Sequence, residues 1–286
     1  MIIFKDINTY KYNMIQIIGE IGINHNGSLK ECKKLIDLCK LSGCNYAKIQ
    51  KREPELCVPE NQKTKMKSTP WGEMTYLDYK KKIEFNEEQI KELIEYSKNI
   101  GIDFFASVWD KTSVDIMSKY TKITKIPSAL ITDLELCAYA REKFEKLIIS
   151  TGMSTEEEIV ECIKVCDPDV IMHTNSTYPC PVEELNLNYI NWLKEKYKNK
   201  EIGYSGHEYG LATTFATVSM GIKWIERHIT LDRTIWGSDH TSSIEPSGLF
   251  KLVKGIRDIE KALQYEIGPR KQFEKENIKK ESLRKT

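Results

Sequence analysis

The chain of 286 residues lacks both a long hydrophobic run and a surplus of charge. Apolar stretches such as 147–149 and 170–172 fall far short of the roughly 20 residues that span a bilayer. The 43 basic and 42 acidic residues give a formal net charge of only +1. No overall field would therefore attract nucleic acid or an anionic membrane surface, and we expect neither as a partner.

A secretion signal and a metal-type cysteine pattern are also missing. The first 15 residues contain no apolar core segment or small-residue cleavage site, which predicts a cytoplasmic protein. Eight cysteines are scattered along the chain, and we expect reduced thiols rather than disulfides. Cys162 and Cys166 have helical spacing without a matching second pair, so the pattern favours buried structural thiols over zinc.

Glycine-rich phosphate loops are absent after every predicted strand, which argues against a nucleotide-binding sheet.

What the sequence does contain is an alternation of short β-rich runs with amphipathic helical stretches. The predicted strands are 16–20, 46–50, 102–106, 123–126, 147–150, 170–173, 202–205 and 222–228. The predicted helices are 29–41, 86–98, 112–120, 134–144, 155–166, 188–196, 211–219 and 249–263. Eight such repeats predict a single-domain α/β protein, a closed (β/α)₈ TIM barrel, with an open doubly wound sheet as the alternative.

Several helices have recognisable starts. Ser28 precedes the first helix, Asn86 is followed by Gln89, and Ser154 with Glu157 predicts a capping box. We expect residues 1–13 to form an N-terminal extension or hairpin, 14–268 the barrel, and 269–286 a solvated basic tail. The long segment 51–85 interrupts the alternation and predicts a lid or binding loop.

All five histidines follow or end predicted strands, on the face where barrel enzymes place their active sites. They are His25, His173, His207, His228 and His240. His207 and His228 end adjacent strands, so their imidazoles could share one divalent metal ion that polarises a carbonyl oxygen. The alternative is that both histidines belong to hydrogen-bond networks.

Lysines and hydroxyls form a second set at the same strand ends. The members are Lys48, Ser107, Lys125, Ser128, Ser150, Thr151 and Ser205. Buried lysines are costly unless an anion meets them, and this set suits a phosphate and a carboxylate, although each serine alone is typical of a cap or turn. Glu20 and Asp239 are candidate acid–base groups or structural acceptors. Trp71, Trp109 and Tyr178 are candidates for lining a sugar site or for packing.

Taken in order, these segments resemble the sialic acid synthase (N-acetylneuraminate synthase) family from about residue 15 to about residue 265. The matching segments are IGEIGINHNGS at 18–28, AKIQ at 47–50, KIPS at 125–128, STGMS at 150–154, TYP at 177–179, GYSGH at 203–207, IERHIT at 225–230 and GSD at 237–239. The resemblance implies a barrel that condenses phosphoenolpyruvate with an N-acylated mannosamine-type aldose. The products would be a nine-carbon 3-deoxy-2-keto sugar acid and phosphate, with a divalent metal, usually Mn²⁺.

The resemblance also implies roles for individual residues. His207 and His228 would bind the metal, and Glu20, His228 and Asp239 would be catalytic, with Glu20 as the base for water addition. Phosphoenolpyruvate would be held by Lys48, Ser107, Lys125, Ser128, Ser150 and Ser205. The sugar or its reacting centre would face Glu20, Gln50, Tyr178 and Asp239.

The sequence departs from the family pattern at ligand-facing positions. Leu130 stands where the family commonly has a glutamate, and Ser176 where it commonly has an asparagine. The sequence also reaches Thr286 without the antifreeze-like domain that supplies an arginine in many members. We therefore expect N-acetylmannosamine or a related sugar, such as a 2,4-diacetamido-trideoxyhexose, as substrate. We also expect a homo-oligomer, because barrels of this kind often pair through their helices. A barrel metallohydrolase and a non-catalytic sugar-binding relative are the alternatives.

Overall fold

The computed structural model describes residues 14–284. The strands are β1 (Gln16–Gly22), β2 (Tyr46–Lys51), β3 (Met66–Thr69), β4 (Gly72–Thr75), β5 (Asp103–Val108), β6 (Ile123–Ile126), β7 (Lys146–Ser150), β8 (Val170–Thr174), β9 (Glu201–Gly206) and β10 (Trp224–His228). The helices are α1 (Leu29–Ser42), α2 (Pro54–Cys57), α3 (Glu60–Lys63), α4 (Tyr76–Ile83), α5 (Glu87–Ile100), α6 (Lys111–Ser118), α7 (Leu134–Lys143), α8 (Glu156–Cys166), α9 (Asn188–Lys196), α10 (Ala212–Ser219), α11 (Pro246–Ala262) and α12 (Glu274–Leu283).

Eight strands close into a parallel barrel. Their order around the barrel is β1, β2, β5, β6, β7, β8, β9 and β10, and β10 pairs with β1 to complete the circle. These are the eight strands that the alternation predicts, so the (β/α)₈ barrel is confirmed and the open sheet is wrong. The expected hairpin at 1–13 lies outside the described residues.

The inner face of the barrel has an apolar layer beneath a polar one. Side chains two residues apart share a face of a strand, so Ile18 and Glu20 of β1 both point inward. The inner apolar cluster consists of Ile18, Phe105, Ile148, Val170, Met172 and Trp224. Two residues after four of these, towards the carboxyl ends of the strands, come Glu20, Ser107, Ser150 and Glu226. The strand period therefore places polar side chains in the barrel mouth.

Two of the three predicted helix starts are confirmed, and one is wrong. The Ser28 hydroxyl accepts a hydrogen bond from the Glu31 amide, and Asn86 with Gln89 forms a capping box. The box predicted at Ser154 lies one residue later: the amide of Thr155 donates to the Glu158 carboxylate at 2.8 Å. Thr155 has the extended backbone of an N-cap, whereas the hydroxyl of Ser154 donates to the Gly152 carbonyl.

The segment 51–85 contains regular structure that the sequence did not indicate. It folds into α2, α3, the antiparallel hairpin of β3 and β4, and α4. Tyr79 and Ile83 of α4 are buried against Ile23, and Trp236 from the loop after β10 packs beside them. The segment is therefore anchored to two loops at the carboxyl ends of the barrel strands.

The carboxyl-terminal part of the described chain lies on the outside. Helix α12 has no buried residue. Within residues 14–284, no helix combines the length and apolar character that crossing a membrane requires.

A buried ion pair joins the ends of β9 and β10 outside the barrel interior. Arg227 and Glu208 are 1% and 0% exposed, and the Arg227 guanidinium donates to the Glu208 carboxylate at 3.0 Å. Tyr204 and Thr214 donate to the same carboxylate. Because Arg227 and Glu208 directly adjoin His228 and His207, this network fixes the two strand ends that carry the histidines.

We expect Glu208→Ala to lower the free energy of unfolding by about 3 to 5 kcal/mol, because it leaves a buried guanidinium without its carboxylate. Glu195→Ala on the exposed side of α9 is the matched control, and its effect should stay within about 0.5 kcal/mol. Urea unfolding followed by circular dichroism measures both. Equal effects of the two variants would show that the ion pair does not stabilise the fold.

Candidate functional site

A cavity of about 780 Å³ opens at the carboxyl ends of the barrel strands. All twelve residues to which the resemblance assigns roles line it, whereas Thr151 of the lysine and hydroxyl set does not. They are Glu20, Lys48, Gln50, Ser107, Lys125, Ser128, Ser150, Tyr178, Ser205, His207, His228 and Asp239. The structure thus brings the predicted site together, although the roles of its members remain predictions.

Four buried charges, here called the charged quartet, lie on the inner face of the barrel: Glu20, Lys48, Lys125 and Glu226. The Lys48 ammonium is 2.5 Å from a Glu20 oxygen and 3.6 Å from a Glu226 oxygen. The Lys125 ammonium lies 2.7 Å from the other Glu226 oxygen. Glu226 therefore bridges the two lysines, and the two carboxylates together balance the two ammonium groups.

The two carboxylates of the quartet differ in their affinity for a proton. Burial raises the pKa of Glu20, although the Lys48 ammonium opposes this effect. Burial also disfavours ionisation of Glu226, but the ammonium groups of Lys125 and Lys48 outweigh it and lower its pKa to about 2. Glu226 therefore stays ionised, and Glu20 is the carboxylate better suited to accept a proton.

Hydroxyl groups surround the quartet. The Lys48 ammonium donates to the Ser107 hydroxyl at 2.8 Å, and the Ser205 hydroxyl donates to Glu226 at 3.2 Å. The buried Ser150 hydroxyl has no hydrogen-bond partner among the described residues. Beside it, a Cβ on Gly152 would lie 2.2 Å from the Ser176 hydroxyl oxygen and 2.9 Å from the Ser128 hydroxyl oxygen, so a larger residue there would require these side chains to shift.

His207 and His228 lie side by side, with their ring centroids 5.4 Å apart. His207 Nδ1 contacts the Asn175 carbonyl at 2.7 Å, and its Nε2 contacts the Tyr178 hydroxyl at 2.8 Å. Burial and the neighbouring His228 lower the pKa of His207 to about 3. This imidazole is therefore neutral at physiological pH, as a metal ligand must be.

The environment of His228 also suits a role as a metal ligand. Its buried Nδ1 has no hydrogen-bond partner within the described residues, and the nearest carboxylate oxygen, Asp239 Oδ2, is 3.9 Å away. Across residues 14–284, no group of three or more histidine, cysteine, aspartate or glutamate side chains is arranged to hold a metal ion. Any metal bound here would take two imidazoles from the protein and its remaining ligands from water or substrate.

The comparisons with known proteins agree with this geometry. A model of the NeuB family matches residues 35–268. N,N'-diacetyllegionaminic acid synthase from Campylobacter jejuni is 35% identical over 92% of this chain and 81% of its own length. N-acetylneuraminate-9-phosphate synthase from Homo sapiens is 35% identical over 86% of this chain and 70% of its own. The chain belongs to the NeuB family.

A solved structure extends the comparison to the whole barrel. The N-acetylneuraminic acid (sialic acid) synthetase of Leptospira borgpetersenii, crystallised with citrate, superposes with a TM-score of 0.83 at 30% identity. The match covers 96% of this chain and 94% of that one. The resemblance to sialic acid synthases is thus confirmed, and the relatives include synthases of legionaminic, neuraminic and pseudaminic products.

The other three histidines have contacts outside the cavity lining. His25 stacks on Phe85 with centroids 4.2 Å apart, and His173 Nε2 contacts the Leu185 carbonyl at 2.6 Å. His240 Nδ1 contacts the Thr230 hydroxyl at 2.7 Å. The position of a histidine at a strand end therefore does not by itself identify a site residue in this NeuB-family chain.

Two of the three aromatic residues proposed to line a sugar site line the cavity, and one does not. Trp109 and Tyr178 line the cavity, whereas Trp71 lies outside its lining and packs edge-on against Trp236. Leu130 and Ser176, the two departures from the family pattern, both line the cavity. Both positions are therefore exposed to whatever the cavity binds.

Four charged residues of the cavity were not predicted: Glu226, Arg52, Lys80 and Asp133. A signal for Glu226 exists, because it lies two residues before His228 and so shares its face of the strand. Arg52 and Lys80 belong to the segment 51–85, whose fold depends on distant contacts. No local sequence pattern therefore predicted that Arg52 and Lys80 line the cavity.

A double-mutant cycle on the charged quartet should show strong coupling. We expect Lys125→Met and Glu226→Gln each to lower the free energy of unfolding by about 3 kcal/mol, because each leaves a buried charge uncompensated. The double variant should lose about 2 kcal/mol less than the sum. Chemical unfolding measures all three variants.

The exposed pair of Lys122 and Glu145, 2.6 Å apart, provides the reference cycle. Lys122→Met and Glu145→Gln should show a coupling below about 1 kcal/mol, because water screens exposed charges. A coupling in the quartet no larger than in this surface pair would contradict the account of the quartet.

Proposed function

We propose that this NeuB-family protein condenses phosphoenolpyruvate with an N-acylated hexosamine in its open-chain aldehyde form. The products are a nonulosonic acid and inorganic phosphate. The observation that supports this most strongly is the shared cavity: two lysines, suited to an anionic donor, and two adjacent imidazoles, suited to a metal, line the same space.

In this proposal the two lysines of the charged quartet and the hydroxyls around them hold phosphoenolpyruvate. Lys48 and Lys125 supply positive charge, and Ser107, Ser128, Ser150 and Ser205 supply hydrogen bonds to the phosphate or carboxylate oxygens. The lysines are already desolvated and oriented by Glu20 and Glu226, so less reorganisation accompanies binding. The unpartnered Ser150 hydroxyl is available to a ligand.

The acceptor sugar lies with its aldehyde towards the histidine pair. His207 and His228 would hold a divalent metal ion, with Mn²⁺ as our expectation, and such an ion supplies Lewis acidity at the aldehyde oxygen. The Asn175 carbonyl orients the His207 imidazole through Nδ1, and the Tyr178 hydroxyl would leave Nε2 for that nitrogen to bind the ion. Tyr178 would then face the sugar, and Asp239 would accept hydrogen bonds from it. Gln50 offers its amide to the same substrate.

The reaction balances with one water molecule. The π electrons of the C2=C3 bond of phosphoenolpyruvate form the bond from C3 to the aldehyde carbon, which leaves an oxocarbenium ion at C2. The π electrons of the aldehyde carbonyl move to its oxygen, which takes up a proton. Water adds to C2 and loses a proton to Glu20, whose raised pKa suits a general base. The bond between C2 and the phosphate oxygen then breaks, and phosphate leaves with the electron pair. The hydroxyl on C2 gives its remaining proton to the departing phosphate and becomes the keto oxygen, and the proton accepted by Glu20 balances the one taken up by the aldehyde oxygen.

The identity of the sugar depends on Leu130 and Ser176. Leu130 offers apolar contact where the family commonly places a glutamate, and this favours a deoxygenated or additionally acylated sugar such as a diacetamido-trideoxyhexose. The relatives include synthases of legionaminic, neuraminic and pseudaminic products. The expected homo-oligomeric state and cytoplasmic location remain predictions.

Incubation of the protein with phosphoenolpyruvate, Mn²⁺ and a panel of hexosamine derivatives tests the reaction. We expect phosphate release only when both substrates are present, with a nine-carbon keto acid seen by mass spectrometry. A chelator should abolish turnover, and added Mn²⁺ should restore it. Phosphate release that needs no aldose, or hydrolysis of a sugar without phosphoenolpyruvate, would overturn the proposal.

The metal ligands have a test that does not depend on turnover. We expect His207→Ala and His228→Ala each to weaken Mn²⁺ binding by at least about 10- to 100-fold, the loss that changes to outer-shell partners already cause, because each removes one of two protein ligands. Electron paramagnetic resonance of free Mn²⁺ measures the affinity. His173→Gln, outside the cavity lining, is the matched control and should bind Mn²⁺ normally. Unchanged affinity in both alanine variants would place the metal elsewhere.

A further inference from the structure

A buried asparagine after β1 connects that part of the chain to the loop that carries Asp239. Asn24 lies between β1 and α1 and is 5% exposed. Residues 229–245, here called the Asp239 loop, join β10 to α11. The Asn24 side chain contacts the beginning and the end of the Asp239 loop, and the mechanism proposed above does not use it.

Both N–H groups of the Asn24 side-chain amide donate hydrogen bonds. One acceptor is the Ile229 carbonyl at 2.8 Å, and the other is the Ser243 hydroxyl, also at 2.8 Å. The Ser243 hydroxyl in turn donates to the Asp239 carbonyl at 2.6 Å. The direction of this chain of hydrogen bonds is fixed, because the carbonyls at both of its ends can only accept.

The chain of hydrogen bonds is shielded from water, since Ser243, its central member, is fully buried. A buried polar group that loses its partner has no water molecule in reach to replace it, so the loss is costly. The chain therefore holds the backbone of Asp239 at a fixed position relative to the loop after β1.

The end of β1 also lies directly against the Asp239 side chain. Gly22 has a φ of +56°, and a Cβ on it would lie 3.3 Å from Asp239 Oδ2 and 3.2 Å from His228 Cε1. A side chain at this position would press on both groups. The place of the Asp239 carboxylate in the cavity thus depends on how the Asp239 loop is fastened to the segment after β1.

Asn26 provides a second connection, but one that is less direct. Its side-chain amide donates to the Trp236 carbonyl at 2.8 Å, three residues before Asp239. The chain from Asn24 ends on Asp239 itself, so Asn24 is the better candidate for control of the carboxylate.

We propose that Asn24 is a positioning residue for the acceptor sugar. Through Ser243 it fixes the backbone of Asp239, and so the direction in which the Asp239 carboxylate faces the cavity. This role rests on the proposed function, in which the carboxylate accepts hydrogen bonds from the sugar. Phosphoenolpyruvate binding should not depend on Asn24, because Lys48 and Lys125 lie on β2 and β6, outside the Asp239 loop.

Hydrogen exchange followed by mass spectrometry tests the connection without turnover. Asn24→Ala removes both bonds from the amide, whereas Ser243→Ala removes the step to Asp239 and keeps the bond from Asn24 to Ile229. We expect both variants to speed the exchange of amides in the Asp239 loop by about 2- to 12-fold, the fold-change that corresponds to one neutral hydrogen bond.

Steady-state kinetics, with a hexosamine that the substrate panel shows to be used, test the consequence for the site. Both variants should raise the KM for the sugar, by about the same 2- to 12-fold. The KM for phosphoenolpyruvate and kcat should stay unchanged. A merely structural role would not produce this difference, because a general loosening of the barrel would also disturb the two lysines.

Asn45→Ala is the matched control. Asn45 also joins separate elements through its side chain, which accepts hydrogen bonds from the Ile17 amide at 2.9 Å and the Arg257 guanidinium at 3.1 Å. These contacts lie at the amino end of β1, opposite the cavity. Asn45→Ala should leave both the exchange of the Asp239 loop and the KM for the sugar unchanged, whatever its effect on Tm.

Unchanged exchange of the Asp239 loop in both variants would overturn the proposed role of Asn24, and so would an equal rise in KM for both substrates. A higher KM for the sugar in Asn24→Ala but not in Ser243→Ala would show that Asn24 does not act through Ser243. If no sugar is turned over, the proposed function fails, and the exchange measurement alone decides whether Asn24 positions Asp239.

Discussion

The charged quartet of Glu20, Lys48, Lys125 and Glu226 is the interaction on which the site depends. Four ionised groups in a barrel interior would be strongly destabilising if each were isolated. Their near-contact geometry, with Glu226 bridging both lysines, offsets that cost and leaves the lysines oriented towards the cavity. Closure of the barrel makes this possible, because the quartet draws on β1, β2, β6 and β10.

The histidine pair is positioned by interactions on the other face of the same strands. His207 and His228 point towards the cavity, and the adjoining Glu208 and Arg227 form a buried ion pair with each other. A disturbance of this outer network would be transmitted to the imidazoles through a single peptide unit. The segment 51–85 then adds a separate set of cations, carried by elements anchored outside the barrel.

The sequence was sufficient to predict the barrel and most of the cavity, for one physical reason. Strands of a closed parallel barrel end on the same face, so residues far apart in the chain, such as Lys48 and His228, converge once the strands are recognised. The same rule also places Glu226 in the cavity, because it lies on the inner face near the end of β10, but the sequence analysis did not predict it. The capping box of α8 was misplaced by one residue, because Ser154 and Thr155 have equivalent side-chain chemistry and only the backbone decides between them.

The fold of the segment 51–85 could not be predicted in the same way. The burial of its hairpin strands is only partial, so little hydrophobic alternation marks them. Tyr79 and Ile83 are buried by contacts with Ile23 and Trp236, which are distant in sequence. These contacts place the cations Arg52 and Lys80 in the cavity, and no local sequence pattern indicates the contacts.

The account's central claim is that one cavity binds a metal at its imidazoles and an anionic three-carbon donor at its lysines. Diffraction from crystals soaked with Mn²⁺ and phosphoenolpyruvate, collected at the manganese absorption edge, tests it most directly. The account predicts one anomalous peak at about 2.2 Å from nitrogens of both His207 and His228, and phosphoenolpyruvate density contacting Lys48 and Lys125. A peak that touches neither imidazole, or a donor bound away from both lysines, would contradict it.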